Sequence, residues 1–298
     1  MSNDLVISDL IKNLVADELA KQAALEDTGS IVKPRLHSPE DLKLAKRVAH
    51  WMGGQMPLPT ALGKWTPRTD ARSYIESTPA RLGVGRSGTR YLTETALRFL
   101  TDHAAARDAV HSDVDEEIMS KMGVITLNSA AEDKREFLAR PDLGRRLSEE
   151  SVQRVQREGD KGLQVQIVAA DGLSATALNV NLPLVLPVLQ AEFARLGIRT
   201  GQVFAIRNGR VAAADEVARL TGAEVLCLLV GERPGLKTAE SMGGYVTYMK
   251  VANFNEAMRF VVSNIHQGGL LPEPGGRQVA GLCRKALDEK KTGVDFSA

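Results

Sequence analysis

The chain has 298 residues, 43% of them apolar, which is enough for a sizeable core and, at ~150 residues per domain, for about two domains. Its 38 lysines and arginines stand against 37 aspartates and glutamates, so no global field draws it to nucleic acid or to an anionic membrane. Two cysteines, Cys227 and Cys283, exclude a disulfide framework, and neither lies in a CxxC pair or beside a histidine as a zinc site requires; a reducing cytoplasm is expected.

At the front, Ile7, Leu10, Ile11, Leu14, Val15 and Leu19 recur at helical spacing and form one apolar stripe. Asp4, Asp9, Asp17 and Glu18 interrupt the segment and no basic stretch precedes it, so it does not read as a signal peptide. Residues 25–67 lose this period and collect proline and glycine, the mark of a linker with one short helix from Glu40 to Met52. Residues 1–65 are therefore read as a front helix and linker, the helix either packing on the main body or serving in docking or targeting. The longest purely apolar run, Val225 to Val230, is far short of the ~20 residues of a membrane span.

Residues 66–161 are expected to be mainly helical, with helices from Tyr91 to His103 and from Asp142 to Arg157. Beyond Gly162 short β-branched runs alternate with helical stretches, which predicts an α/β, Rossmann-like parallel sheet over 162–298. The strands are Gln164 to Ala170, Gln202 to Arg207 and Glu224 to Val230; the crossover helices are Pro183 to Leu196 and Ala212 to Leu220, each stopped by a glycine. In such sheets ligands bind outside the carboxyl ends of the strands. Those ends lead into Asp171-Gly172-Leu173-Ser174, Asn208-Gly209-Arg210-Val211 and Gly231-Glu232-Arg233-Pro234-Gly235. A fourth apolar run, Phe260 to Val262, leads into Ser263-Asn264-Ile265-His266-Gln267-Gly268-Gly269.

Gly83-Val84-Gly85-Arg86-Ser87-Gly88 matches the dinucleotide fingerprint GxGxxG, but no apolar strand precedes it, and a glycine-rich turn capping the next helix is the simpler reading. Ser174 begins like a nucleophile elbow; Thr176 stands where the second glycine belongs, so an N-cap is expected instead. Asn264-Ile265-His266-Gln267-Gly268-Gly269 approaches the Asp-x-His-x-x-Gly pattern of one group of cobalamin proteins, with the aspartate missing; His266 either ligates metal or bonds loop backbone. Asp102-His103 and the acidic run at Asp113, Asp115, Glu116 and Glu117 read as solvated helix ends. Pro141 and Asp142 suit a helix start, with Arg145 and Arg146 forming a partner or phosphate contact or a merely solvated basic face.

Taken together, the segments Arg140 to Leu147, Asp171 to Ser174, Leu229 to Leu236 and Ser263 to Gly269 resemble the light chain family of ethanolamine ammonia-lyase in order and spacing. Gly85-Arg86-Ser87-Gly88, followed by Leu97 to His103, extends the resemblance from about Thr66 to the end. It implies the small subunit of an adenosylcobalamin-dependent lyase that converts ethanolamine to acetaldehyde and ammonia by radical chemistry. It further implies a large partner subunit carrying the substrate residues, so no catalytic residue and no metal ligand is assigned to this chain. Family cobalamin contacts fall on Val211, Glu232 and Val261, with Arg210 and Ser263 beside them. Val261 replaces a cysteine of the family pattern; a contact through backbone or packing survives this change, one that needs sulfur does not. Many members work inside bacterial microcompartments, and the front helix is compatible with an encapsulation segment; a cytoplasmic enzyme is expected, inside such a shell only if that helix serves in targeting rather than packing on the body. The competing readings are a self-sufficient Rossmann-like enzyme or binding protein for a nucleotide-like ligand, and a pure assembly subunit.

Overall fold

The computed structural model describes residues 74, 80–251, 254 and 256–293. The front helix and linker expected over 1–65 lie outside the described residues. In chain order a hairpin of β1 (Arg86–Ser87) and β2 (Arg90–Tyr91) leads into α1 (Thr93–His111), α2 (Glu116–Lys121), β3 (Ile125–Asn128), α3 (Lys134–Ala139) and α4 (Glu149–Glu158). Then follow β4 (Val165–Ala170), α5 (Ala175–Arg195), β5 (Phe204–Arg207), α6 (Val211–Thr221), β6 (Val225–Gly231), β7 (Met242–Tyr248), β8 (Phe260–Ile265) and α7 (Pro272–Glu289).

The sheet has six strands in the order β3-β5-β4-β6-β7-β8. β3, β5, β4 and β6 are parallel, as the alternation of apolar runs and helices predicts. The all-parallel expectation is corrected at one side, where β7 runs antiparallel to both β6 and β8. β7 is the strand missing from the sequence reading, because Gly243-Gly244 lies inside it where β-propensity is weakest. Both glycines are steric requirements: a Cβ on Gly244 would come within 2.4 Å of Val279 on α7, and one on Gly243 within 2.9 Å of the Glu232 carboxylate. The region before residue 162 also supplies an unforeseen strand, since four-residue β3 pairs with β5 along its whole length.

Two further elements differ from their expected form. α5 begins at Ala175, capped by Ser174, rather than at Pro183; burial of Leu178, Leu182, Val185, Leu186 and Leu189 carries the helix through Pro183 and Pro187. It is long and apolar enough to cross a membrane, yet these side chains pack in the core. The helix expected from Asp142 breaks into a single 3-10 turn at Leu143–Arg145 and α4, which is capped by Ser148. Gly144 sits at the break, where a Cβ would come within 2.6 Å of the Phe137 ring.

The sheet divides the core into two layers. α5 and α7 pack on one face with Ile167, Leu229, Val246, Val262 and Ile265, and α6 and α4 pack on the other with Val168, Leu226, Leu228 and Val230. On the α6 side, Arg259 at the start of β8 forks onto Asp215 of α6 at 2.8 and 2.7 Å, and both side chains are at least 95% buried. This pair ties the antiparallel edge to the helix that covers the parallel strands. Removing one partner of a buried ion pair strands the other charge, so Asp215→Ala is expected to lower the unfolding free energy by about 3–5 kcal/mol in urea titration. A loss below about 1 kcal/mol would contradict this role.

Candidate functional site

Two antiparallel steps return β8 to the direction of β6, so the carboxyl ends of β4, β5, β6 and β8 meet at one edge of the sheet. At the parallel end this edge is closed by a carboxylate. Asp171, 2% exposed, accepts hydrogen bonds from Lys134 Nζ at 2.8 Å and from the backbone N–H groups of Asn208 and Gly209 at 3.0 and 2.9 Å. Burial pushes its pKa up, while Lys134 and the two amides pull it down. The turn after β4 spends its own amides on protein: Gly172 N–H donates to the Gly209 carbonyl and Leu173 N–H to that of Gly231. The loops approach so closely that a Cβ on Gly172 would lie 2.3 Å from the Gly231 oxygen, at a residue with φ of 53°. The strand end where a dinucleotide pyrophosphate usually docks is therefore filled.

Toward β8 the residues are less covered: Glu232 is partly exposed, and Val261 and Ser263 are exposed. Glu232, one residue past β6, accepts a hydrogen bond from Ser241 Oγ at 2.5 Å and weaker ones from Asn264 N–H at 3.3 and 3.4 Å. Its backbone N–H donates to the Ser241 carbonyl, so the carboxylate is fixed from both ends. It lies over Gly243, beside the partly buried ring of Tyr245. Directly across from Tyr245 on β8 stands Val261, 47% exposed although it is an apolar strand residue. Ser263 follows as an exposed residue where the β7–β8 register shifts, and Asn264 there adopts φ of 65°.

Val211 opens α6 and packs partly on the core layer beneath it. Arg210, the residue before it, stacks its guanidinium 4.8 Å from the Phe137 ring centre. Its Nε is buried without a hydrogen-bond partner, and the side chain makes no ion pair among the described residues. The structure thus gathers Glu232, Val261 and Ser263 on the β6–β8 side, with Arg210 and Val211 at the end of β5, two strands away from β6.

His266, 8% exposed, has both ring nitrogens engaged within its own loop. Gly268 N–H donates to Nδ1 at 3.1 Å, which leaves Nε2–H to donate to Asn264 Oδ1 at 2.8 Å. Of the two readings left open for this residue, the geometry matches the loop-backbone one. Ser174 is likewise an N-cap, accepting from Ala177 N–H at 3.1 Å and donating to the Ala239 carbonyl at 2.7 Å. The glycine-rich segment from Gly83 leads into the β1–β2 hairpin before α1, whose N-cap Leu92 makes no side-chain cap bond and donates its N–H to the Gly85 carbonyl at 3.1 Å. Asp102 is not a solvated end, since Arg81 and Arg98 both pair with it. Arg140 pairs with Asp142, and Arg145 with Glu256.

Sequence reasoning missed Ser241, Gly243 and Tyr245, all in or beside the unpredicted β7. The β-rich run Tyr245-Val246-Thr247-Tyr248 was the available signal. Burial lowers the pKa of His266 below the ordinary 6.5, with Glu232 opposing. On acidification the unfolded loop therefore takes up the proton first, so this contribution to stability is complete above about 6.5 and is lost as pH falls toward the folded pKa. Hydrogen exchange at Gly268, corrected for intrinsic rates, should accelerate between pH 7.5 and 5.5 in the native chain and change little in His266→Gln, at values bracketing ~6.5. Equal acceleration in both would contradict the assignment.

A family model described as ethanolamine ammonia-lyase light chain matches residues 69–297. The chain is 45% identical over 230 residues to the ethanolamine ammonia-lyase small subunit of Clostridium perfringens, covering 76% of this chain and 78% of that protein. It is 46% identical over 230 residues to the small subunit of Clostridium tetani, with the same 76% and 78% coverage. Against that of Fusobacterium nucleatum it is 45% identical over 231 residues, covering 78% of each chain. The match runs through the hairpin, the six-stranded sheet and the loops at its carboxyl edge, and the chain belongs to the ethanolamine ammonia-lyase light chain family.

Proposed function

We propose that this chain works with a large subunit as the small subunit of an adenosylcobalamin-dependent ethanolamine ammonia-lyase, and that its β6–β8 edge covers the cofactor at the junction of the two chains. The observation that carries this reading is Glu232, a partly exposed carboxylate held by Ser241 and Asn264 N–H one residue past the end of β6, with exposed Val261 and Ser263 on the neighbouring β8. The donor set fits the group. Cobalamin is rimmed by amides and carries a nucleotide tail with hydroxyls and a phosphate, so it needs acceptors, an anion contact and apolar cover. Glu232 supplies the acceptor; Arg210, with an orphaned buried Nε at the head of α6, supplies the cation, and the first-turn amides of that helix lie next to it. Val261 supplies exposed apolar surface. Radical conversion of ethanolamine to acetaldehyde and ammonia is the chemistry that adenosylcobalamin supplies when bound.

The work of this chain is then to bind, orient and exclude water. Glu232 takes a hydrogen bond from a ligand donor without reorganising, because Ser241 and Asn264 already set its direction. Ser263, exposed at the register shift, is placed to add a hydroxyl contact. Substrate contacts fall to the large subunit in this reading. Its location is the bacterial cytoplasm, with residues 1–25 as the segment that would direct it into a microcompartment.

The test is cofactor titration of the assembled two-chain complex. Glu232→Ala removes a charged acceptor worth about 1.5–3 kcal/mol, so affinity for cobalamin should fall by about 10- to 140-fold while the chains still associate. Unchanged affinity in a variant that assembles normally would count against this edge as the site.

A further inference from the structure

We infer that Tyr245 is a further ligand-positioning residue: its ring, with Val261 beside it, forms the floor for the flat aromatic base of the cofactor's nucleotide tail. The inference rests on the proposed function and assigns a part of the ligand to a part of that edge. Its first support is register. Tyr245 and Val261 are direct partners across β7 and β8, so their side chains stand next to each other on one face. That face is the α6 side, because Tyr245 lies across from Leu228 and packs on the core layer that contains it, whereas the alternate residues Val246 and Val262 belong to the layer under α7.

The second support is the glycine two residues before the tyrosine. A Cβ on Gly243 would lie 2.9 Å from the Tyr245 ring and 2.9 Å from the Glu232 carboxylate, so ring and carboxylate meet over a position that has no side chain of its own. An aromatic face and a carboxylate thus share one small surface. The carboxylate at the end of β6 suits a sugar hydroxyl, which donates to it, and the ring suits a base, whose flat apolar face stacks. Burial and the neighbouring Glu232 both raise the Tyr245 pKa, so the ring stays neutral and stacks without charge. A corrin edge bearing only amides would use the carboxylate and leave the ring without a role.

The experiment uses the assembled complex with the large subunit and two probes, cyanocobalamin and dicyanocobinamide, which keeps the corrin and lacks the nucleotide tail. Tyr245→Leu retains apolar volume and removes the flat face. It should weaken cyanocobalamin by about tenfold and leave dicyanocobinamide unchanged, and Tyr245→Phe should restore near-native binding of both. Equal weakening of both probes, or of neither, would overturn the inference. Nitration of Tyr245 by tetranitromethane in the unmodified complex reads the same contact without a variant: cyanocobalamin should protect it and dicyanocobinamide should not, and equal nitration with either probe overturns the assignment. Glu232→Ala separates the two levels. If it weakens cyanocobalamin while Tyr245→Leu does not, the floor assignment fails alone; if it too is silent, the edge reading fails with it.

Discussion

The buried carboxylate of Asp171 holds the two ends of the crossover unit together, since Lys134 Nζ and the amides of Asn208 and Gly209 all converge on it. Three donors compensate the cost of burying one charge, and they come from α3 and from the loop after β5. The turn after β4 is thereby drawn against both neighbouring loops, at a distance only glycine tolerates at positions 172 and 231. Much of the rest follows from that closure. With the strand end nearest the switch of direction filled, the proposed binding edge lies outward, at β6, β7 and β8.

The outward edge is built from a different set of constraints. β7 must carry two adjacent glycines because each face has a separate claim: Val279 of α7 occupies the space below Gly244, and Glu232 and Tyr245 occupy the space above Gly243. An ordinary β-rich strand would be more stable by propensity and would leave no room for Glu232, Tyr245 and Val279 where they stand. The Arg259–Asp215 fork then anchors β8 against α6, so the floor does not depend on backbone pairing at an edge alone. The register shift at Ser263–Asn264 aims the Asn264 N–H at Glu232, and the same asparagine side chain fixes the tautomer of His266. The acceptor, its donors and the histidine loop form one connected unit.

How much of this was legible in the residues varies with the kind of force involved. The parallel strands β4, β5 and β6 were readable because they are almost wholly buried and mostly apolar, whereas half-exposed β3 was not, and the four loops at the carboxyl edge followed from topology. Glu232 and Val261 were named from resemblance; Glu232 lies just past the carboxyl end of β6, whereas Val261 lies near the start of β8, opposite mid-strand Tyr245, and Tyr245 and Ser241 were hidden in and beside a strand whose glycines mask it. The start of α5 was misread because Pro183 is a strong local signal that the buried leucine stripe overrides. Asp171 stood inside a named loop, but nothing local showed that Lys134, 37 residues earlier, would meet it. Likewise Asp102 gave no hint of Arg81, which the hairpin brings back across 21 residues. Long-range pairing of this kind is a property of packing, and one sequence does not display it.

The central claim is that this chain completes a cobalamin site only together with a large subunit. The most direct measurement is to express both chains from the same genome, purify each alone and both together, and assay ethanolamine deamination with added adenosylcobalamin. Deamination and cofactor retention only in the joint preparation are the predicted result. A chain that fails to associate, or that holds a nucleotide tightly by itself, would contradict the account.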